Sequence, residues 1–182
     1  AGVHALHQQA TFVTAGEPAL SPEDLQHALN RWLPHDIRVC AVRHCDPRFH
    51  ARYDAWGKAY TYALARGEIH DPFHGKYVWR QTAAVDPNRI RRAAAVLIGE
   101  HDFSTFAAKT TNDARSPICR LLAVDLHEGP DELLFLCIAG NRFLYKMVRT
   151  LVGFLVRVGQ GRASGEPADV RALLTACDRT VL

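Results

Sequence analysis

The chain has 182 residues, of which 48% are hydrophobic and 23% are charged, proportions that are ordinary for a globular protein with a buried core. Its formal net charge of +3 permits a polyanionic partner without requiring one, and arginine makes up 18 of the 22 basic residues. No stretch of 18 or more residues is apolar throughout, so the sequence predicts no membrane span.

The first third of the chain contains one predicted helix and two predicted strands. Ser21 at the N-cap, followed by proline, predicts a helix start, and Pro34 ends that helix. Residues of alternating character from Ile37 to Val42 indicate a strand. The pattern from Phe49 to Arg66 is again strand-like, with a break at Gly57.

The middle of the chain contains a predicted helix and a predicted hairpin. Asp86-Pro87 opens the helix, and Gly99 closes it. Two strands, from Leu121 to His127 and from Leu133 to Ile138, follow it. Because the turn sequence Gly129-Pro130-Asp131 separates them, they predict a β-hairpin.

Two further helices are predicted, from Phe143 to Val158 and from Pro167 to Cys177. A hairpin in the middle and helices after strand pairs give a mixed order of elements. This order predicts an α+β fold, with helices packed on one face of a largely antiparallel mixed sheet.

The helix predicted from Phe143 carries a basic stripe. At about 100° per residue, the positions that fall within one narrow sector are Arg142, Lys146, Arg149, Gly153 and Arg157. Apolar side chains cover the other sides, which predicts a largely buried helix. Because an unpaired buried arginine is costly, the stripe is expected to face a cleft, an anion or a buried carboxylate. The alternative is an amphipathic helix with solvated charges.

The five cysteines have irregular spacings and include no CxxC pair, which indicates free thiols in a reducing compartment such as the cytoplasm. Cys40, His44, Cys45 and His50 form a local cluster, so a small-molecule or metal-binding α+β domain, with zinc as the candidate metal, is one alternative. The gap between the two cysteines fits common zinc sites poorly, and Cys40 lies in a stretch that is typical of a strand. The sequence therefore predicts no metal site.

Six segments of the chain match, in order, the motifs of one known family. They are Ala1-Gly2-Val3-His4-Ala5, Phe49-His50-Ala51-Arg52-Tyr53, Lys58-Ala59-Tyr60-Thr61-Tyr62, Gly99-Glu100-His101-Asp102-Phe103, Phe143 to Gly153, and Asp178-Arg179-Thr180. In these segments the chain resembles tRNA pseudouridine synthases of the TruA type. The resemblance covers essentially the whole chain.

This resemblance implies a pseudouridine synthase-like fold and the isomerisation of uridine to pseudouridine in the tRNA anticodon stem-loop. It implies a homodimer that binds tRNA and needs no metal or organic cofactor. It assigns residues 1–48 to the remainder of the N-terminal half, and residues 49–182 to the C-terminal half without its last strand.

The resemblance also implies roles for particular residues. Tyr60 matches the active-site tyrosine, whose ring can stack on a flipped base, and Arg149 matches the arginine that pairs with the catalytic aspartate. The candidates for contact with RNA are Arg52, Arg142, Lys146 and Arg157, and those for shaping the active-site loop are His4 and Gln8.

In the family, the nucleophilic aspartate comes just before the segment that here begins at Ala1. We therefore expect the 182-residue chain by itself to lack pseudouridylation activity. A non-catalytic RNA-binding module, which keeps the basic stripe without the chemistry, is the main alternative.

Overall fold

The computed structural model describes residues 3–14, 20–67, 72–108 and 116–182. The chain divides into two compact units, Ala1–Ala55 and Trp56–Leu182. The assignment of residues 1–48 and 49–182 to the two halves of a synthase stays a prediction.

The first unit contains the helix α1, Pro22–Trp32. Its N-cap is Ser21, whose side-chain oxygen accepts a hydrogen bond from the backbone N–H of Asp24 at 3.1 Å. Acidic residues occupy the first turn, where they favour the positive end of the helix. The predicted helix start is therefore confirmed.

The strand predicted from Ile37 to Val42 does not form, and its backbone is hydrogen-bonded to side chains of α1 instead. The amide of Asn30 accepts a bond from the backbone N–H of Val39 at 2.8 Å and donates one to its carbonyl at 2.9 Å. Gln26 donates to the carbonyls of Val39 and Cys40, each at 3.1 Å. These amides take the place of a neighbouring strand, which an alternating pattern alone does not guarantee.

The second unit contains a five-stranded sheet in the order β2-β1-β5-β4-β3. The strands are β1 (Lys58–Arg66), β2 (Val78–Gln81), β3 (Gly99–Asp102), β4 (Ile118–Glu128) and β5 (Leu133–Gly140). β1 and β2 are parallel and the other pairs are antiparallel. The predicted hairpin is confirmed as β4 and β5, whereas no sequence pattern predicts β2 or β3.

The strand predicted from Phe49 is shorter than expected. β1 begins at Lys58, directly after the break at Gly57. The residues before it form turns, in which the N–H groups of Tyr53 and Asp54 donate to the carbonyl of His50. Aromatic and small residues are common in strands, but here the turn hydrogen bonds satisfy the backbone.

Three helices of the second unit cover one face of the sheet and confirm the α+β class. They are α2 (Pro87–Leu97), α3 (Met147–Gly159) and α4 (Pro167–Ala176). α2 packs against α3, α4 and β4. Buried and exposed residues alternate along β4 around one irregularity, as expected for a sheet with a single covered face.

No helix in the described ranges is both long and apolar enough to cross a membrane.

α3 begins at Met147, four residues later than the sequence pattern predicts. Lys146 has a left-handed backbone conformation, with φ at +58°, which cannot continue a right-handed helix. Arg142 and Lys146 are therefore not on the helix, and the part of the stripe on α3 consists of Arg149, Gly153 and Arg157. Nine of the 13 residues of α3 are buried, which confirms a largely buried helix.

Two glycines of α3 provide a matched test of this packing. A Cβ added to Gly159 would lie 2.8 Å from Cγ1 of Val85 and 3.0 Å from side-chain atoms of Ile90, whereas one added to Gly153 would meet nothing within 4 Å. We expect Gly159→Ala to lower the free energy of unfolding by about 1–3 kcal/mol through overpacking. Gly153→Ala is expected to raise it by up to about 1 kcal/mol, because alanine has the higher helix propensity.

Urea denaturation of both variants checks this prediction. Equal effects of the two substitutions on the free energy of unfolding would contradict the packing described for Gly159.

Candidate active site

Tyr60 lies on β1 opposite Ile138 of β5 and is partly buried at the edge of the core. Its ring meets that of Phe143 edge-on, with centroids 5.3 Å apart and an interplanar angle of 83°. The Phe143 ring lies against Gly140, where a Cβ would come within 3.2 Å of it. The phenol has no hydrogen-bond partner among the described residues, so the ring is held while its hydroxyl remains available.

Phe143 lies in one of the family-like sequence motifs, but the sequence by itself gives it no role. Its contact with Tyr60 joins residues 83 positions apart in the chain, because β1 and β5 pair in the sheet. Phe143 follows the end of β5 by only a few residues, and this is the sequence signal that could have indicated its contact with Tyr60.

Arg149 is the third residue of α3 and is exposed. This corrects the expectation of a buried arginine. It makes no hydrogen bond or ion pair with another described residue, and the first turn of α3 contains no acidic side chain. The positive end of the helix dipole adds to the guanidinium charge at this position. Arg149 is therefore placed to bind a carboxylate or a phosphate.

Arg142 is used within the protein. Its Nη2 donates to the backbone carbonyls of Ser116 and, at 2.6 Å, of Ile118. The side chain of the preceding Asn141 accepts from the backbone N–H groups of Arg120 at 2.9 Å and Arg142 at 2.7 Å. These bonds tie the connection between β5 and α3 to the start of β4. A contact of Arg142 with RNA stays a prediction, and its other N–H groups would make that contact.

We expect Arg142→Ala to lower the free energy of unfolding by about 1–2 kcal/mol, because two carbonyls lose a charged donor at a half-buried site. Chemical denaturation measures the change. Arg162→Ala is the control, since Arg162 is exposed and its side chain has no partner among the described residues. If both variants were as stable as the wild type, the hydrogen bonds of Arg142 would not contribute to stability.

Lys146 and Arg157 are both exposed. The ammonium of Lys146 lies 5.2 Å from the centroid of the Tyr145 ring, a cation–π distance. Arg157 donates to the backbone oxygen of Leu182 at 2.5 Å. Arg157 follows Arg149 by eight residues, which is about 12 Å along the axis of α3.

Arg52, His4 and Gln8 belong to the first unit, whereas Tyr60 and Arg149 belong to the second. Arg52 is exposed in the turn after His50, with its guanidinium carbon 5.8 Å from the centroid of the Tyr53 ring. Gln8 donates to the carbonyl of the next residue at 3.1 Å. His4 and Gln8 are both exposed.

Cys177 lies near Asp102, a proximity that the sequence alone does not show. Desolvation of the sulfur raises the pKa of the Cys177 thiol, and the carboxylate of Asp102 raises it further. Because the thiolate is the reactive form, this thiol is a poor candidate nucleophile. The Asp102 carboxylate also accepts from the backbone N–H of Ser104 at 2.8 Å, which fixes the turn after β3.

The residues of the zinc alternative, Cys40, His44, Cys45 and His50, all lie within the described ranges. Among the described residues, no group of three or more His, Cys, Asp or Glu side chains could hold a metal ion. The local cluster in the sequence does not become a ligand set in the structure.

Comparison with known proteins gives consistent matches. A family described as tRNA pseudouridine synthase matches residues 93–181. The tRNA pseudouridine synthase A of Listeria monocytogenes is 38% identical over 182 residues, which covers 100% of this chain and 71% of the relative. The proteins of the same name from Brevibacillus brevis and Solibacter usitatus are 36% and 37% identical, and the alignments cover 98% and 95% of this chain and 71% and 70% of the relatives.

Proposed function

The chain belongs to the tRNA pseudouridine synthase family, and from this premise we infer that it isomerises uridine to pseudouridine in tRNA. In this reaction the bond from N1 of the base to C1′ of the ribose breaks, and a bond from C5 to C1′ forms. C5 loses its hydrogen to solvent and N1 gains a proton. The base has to leave the RNA stack before an enzyme can reach these atoms.

Tyr60 is the residue that we propose to contact the flipped base. Its ring is fixed by Phe143, so it offers a rigid stacking surface. Its phenol, which has no partner among the described residues, can donate a hydrogen bond to the base or exchange a proton with it. The partial exposure of Tyr60 supports this role over that of a core aromatic.

Arg149 is proposed to pair with the carboxylate of the family's catalytic aspartate. A guanidinium can hold a carboxylate ionised and oriented through two parallel hydrogen bonds. An ionised carboxylate can act as a nucleophile at C1′ or stabilise the positive charge that develops on the ribose. The single observation that carries this proposal is an exposed arginine without a described partner on a helix that is otherwise largely buried.

Contacts with the RNA backbone are proposed for Lys146, Arg157 and Arg52, which are all exposed and basic. His4 and Gln8 are proposed to shape the active-site loop. We further propose that the substrate is the anticodon stem-loop of tRNA, that the enzyme acts as a homodimer in the cytoplasm, and that it requires no cofactor.

Release of tritium from tRNA labelled at C5 of uridine tests the proposed reaction. The protein is expressed from the whole open reading frame that contains these 182 residues, and tRNA binding is measured in parallel. Release of tritium together with pseudouridine in the digested product supports the enzyme. Binding of tRNA without release would favour the alternative function, a non-catalytic RNA-binding module.

A further inference from the structure

A cavity of about 230 Å³ lies between α2 and the connection from α3 to α4. It is lined by Arg89, Arg92, Val158, Ala163, Ser164, Gly165 and Glu166. None of these residues has a role in the proposed reaction. Val158 follows Arg149 by nine residues, so the cavity lies about 14 Å farther along the axis of α3.

One wall of the cavity is formed by two arginines of α2, a helix with three arginines and no acidic residue. Arg92 makes no hydrogen bond or ion pair with another described residue. Within the described ranges, the one ion pair of Arg89 is half-exposed, with 3.7 Å between its Nε and Oδ2 of Asp86. Its guanidinium lies over Gly161, where a Cβ would come within 2.7 Å of Nη1. Both guanidinium groups therefore have donors free for an anion.

The other wall carries groups that accept hydrogen bonds. Ser164 donates to the carboxylate of Asp169 at 2.5 Å and accepts from the backbone N–H of Glu166 at 3.3 Å, so its side chain is fixed. Glu166 is the N-cap residue of α4, but its side chain makes no cap hydrogen bond. A carboxylate at this position repels a bare phosphate and attracts a hydroxyl.

We propose that this cavity binds one ribose–phosphate unit of an RNA backbone. Arg89 and Arg92 hold the phosphate, for which the planar guanidinium has matching donors. Glu166 accepts a hydrogen bond from the ribose 2′-hydroxyl, the group that distinguishes RNA from DNA. The cavity is smaller than the roughly 300–1,000 Å³ of a site for a drug-sized ligand, which suits one backbone unit.

The inference rests on the proposed function, because it takes the RNA to be tRNA. It adds a second contact about 14 Å from Arg149 along α3. Since phosphate contacts position an RNA without reading its sequence, the site orients the substrate and takes no part in the chemistry.

Fluorescence anisotropy with labelled tRNA, measured over a range of salt concentrations, tests the phosphate contact. Arg89→Ala/Arg92→Ala is expected to raise the Kd for tRNA about fivefold or more and to reduce the magnitude of the salt slope by about 1–2. The matched control is Arg91→Ala on the same helix, because Arg91 is paired with Glu128 at 3.0 Å and does not line the cavity. The control is expected to bind tRNA with a Kd within about twofold of the wild type.

A second arm tests the ribose contact. The affinity for a stem-loop RNA is compared with that for the DNA of the same sequence. Glu166→Ala is expected to reduce the preference for RNA about threefold or more, because the 2′-hydroxyl loses its acceptor. Circular dichroism confirms that each variant is folded.

Unchanged tRNA affinity and salt slope in the double arginine variant would overturn the inference while leaving the proposed function intact. An unchanged preference for RNA in Glu166→Ala would also overturn it as stated. Failure of the wild type to bind tRNA would instead overturn the proposed function, and this inference with it.

Discussion

Replacing Arg149 with alanine is expected to lower kcat for pseudouridine formation by about 100- to 1,000-fold, because the catalytic carboxylate loses the cation that orients it. The protein is assayed as the product of the whole open reading frame that contains these 182 residues. Arg149→Lys is expected to give an intermediate rate, because lysine keeps the charge but not the two parallel donors.

The pH profile separates this role from a structural one. Removal of a neighbouring positive charge disfavours the ionised carboxylate, so the pKa of that carboxylate is expected to rise. The acidic limb of the profile of kcat against pH then moves to higher pH. A lowered kcat with an unmoved acidic limb would contradict the pairing of Arg149 with a carboxylate.

Arg157→Ala is the matched control for Arg149, because it removes an exposed arginine from the same helix. It is expected to weaken tRNA binding and to leave kcat within about threefold of the wild type, as for a phosphate contact. Equal losses of kcat in the two variants would indicate a general effect of basic charge on α3.

Tyr60→Phe is expected to lower kcat by about 100-fold or more while tRNA affinity stays within about twofold, because the ring remains and only the phenol is lost. Tyr60→Ala removes the ring as well. It is expected to weaken tRNA binding by about 1–3 kcal/mol in addition, which is the usual contribution of a stacked base. Single-turnover rates and equilibrium binding distinguish the two effects.

Tyr62→Phe is the control for Tyr60. Tyr62 lies two residues along the same strand and packs against the same core. Its phenol has no proposed role, so the rate should not change. Wild-type kcat in Tyr60→Phe would show that the hydroxyl does not take part in the reaction.

The starts of α1 and α2 and the hairpin could be predicted because a few neighbouring residues determine them. Ser21 and Asp86 cap their helices through N–H groups two or three residues away. The turn between β4 and β5 likewise depends on residues within it. For the candidate site, the sequence motifs identified Tyr60 and Arg149. In the structure Tyr60 is partly exposed and Arg149 is exposed, and neither side chain has a polar partner among the described residues.

Other features depend on partners that are distant in the chain. The segment 37–42 alternates like a strand, but Asn30 and Gln26 bind its backbone. The helix predicted from Phe143 begins at Met147, because Lys146 adopts a left-handed conformation. The backbone carbonyl of the preceding Tyr145 also accepts a hydrogen bond from the backbone N–H of Ala108.

The sequence by itself determined the family, the periodicity of α3 and the residue types of the candidate site. Only the tertiary structure decided that Arg142 binds two carbonyls 24 and 26 residues before it, and that Phe143 packs against Tyr60. The physical reason is the range of the interactions. Periodicity and capping follow from local backbone geometry, whereas the partner of a guanidinium or an aromatic ring is determined by which strands pair.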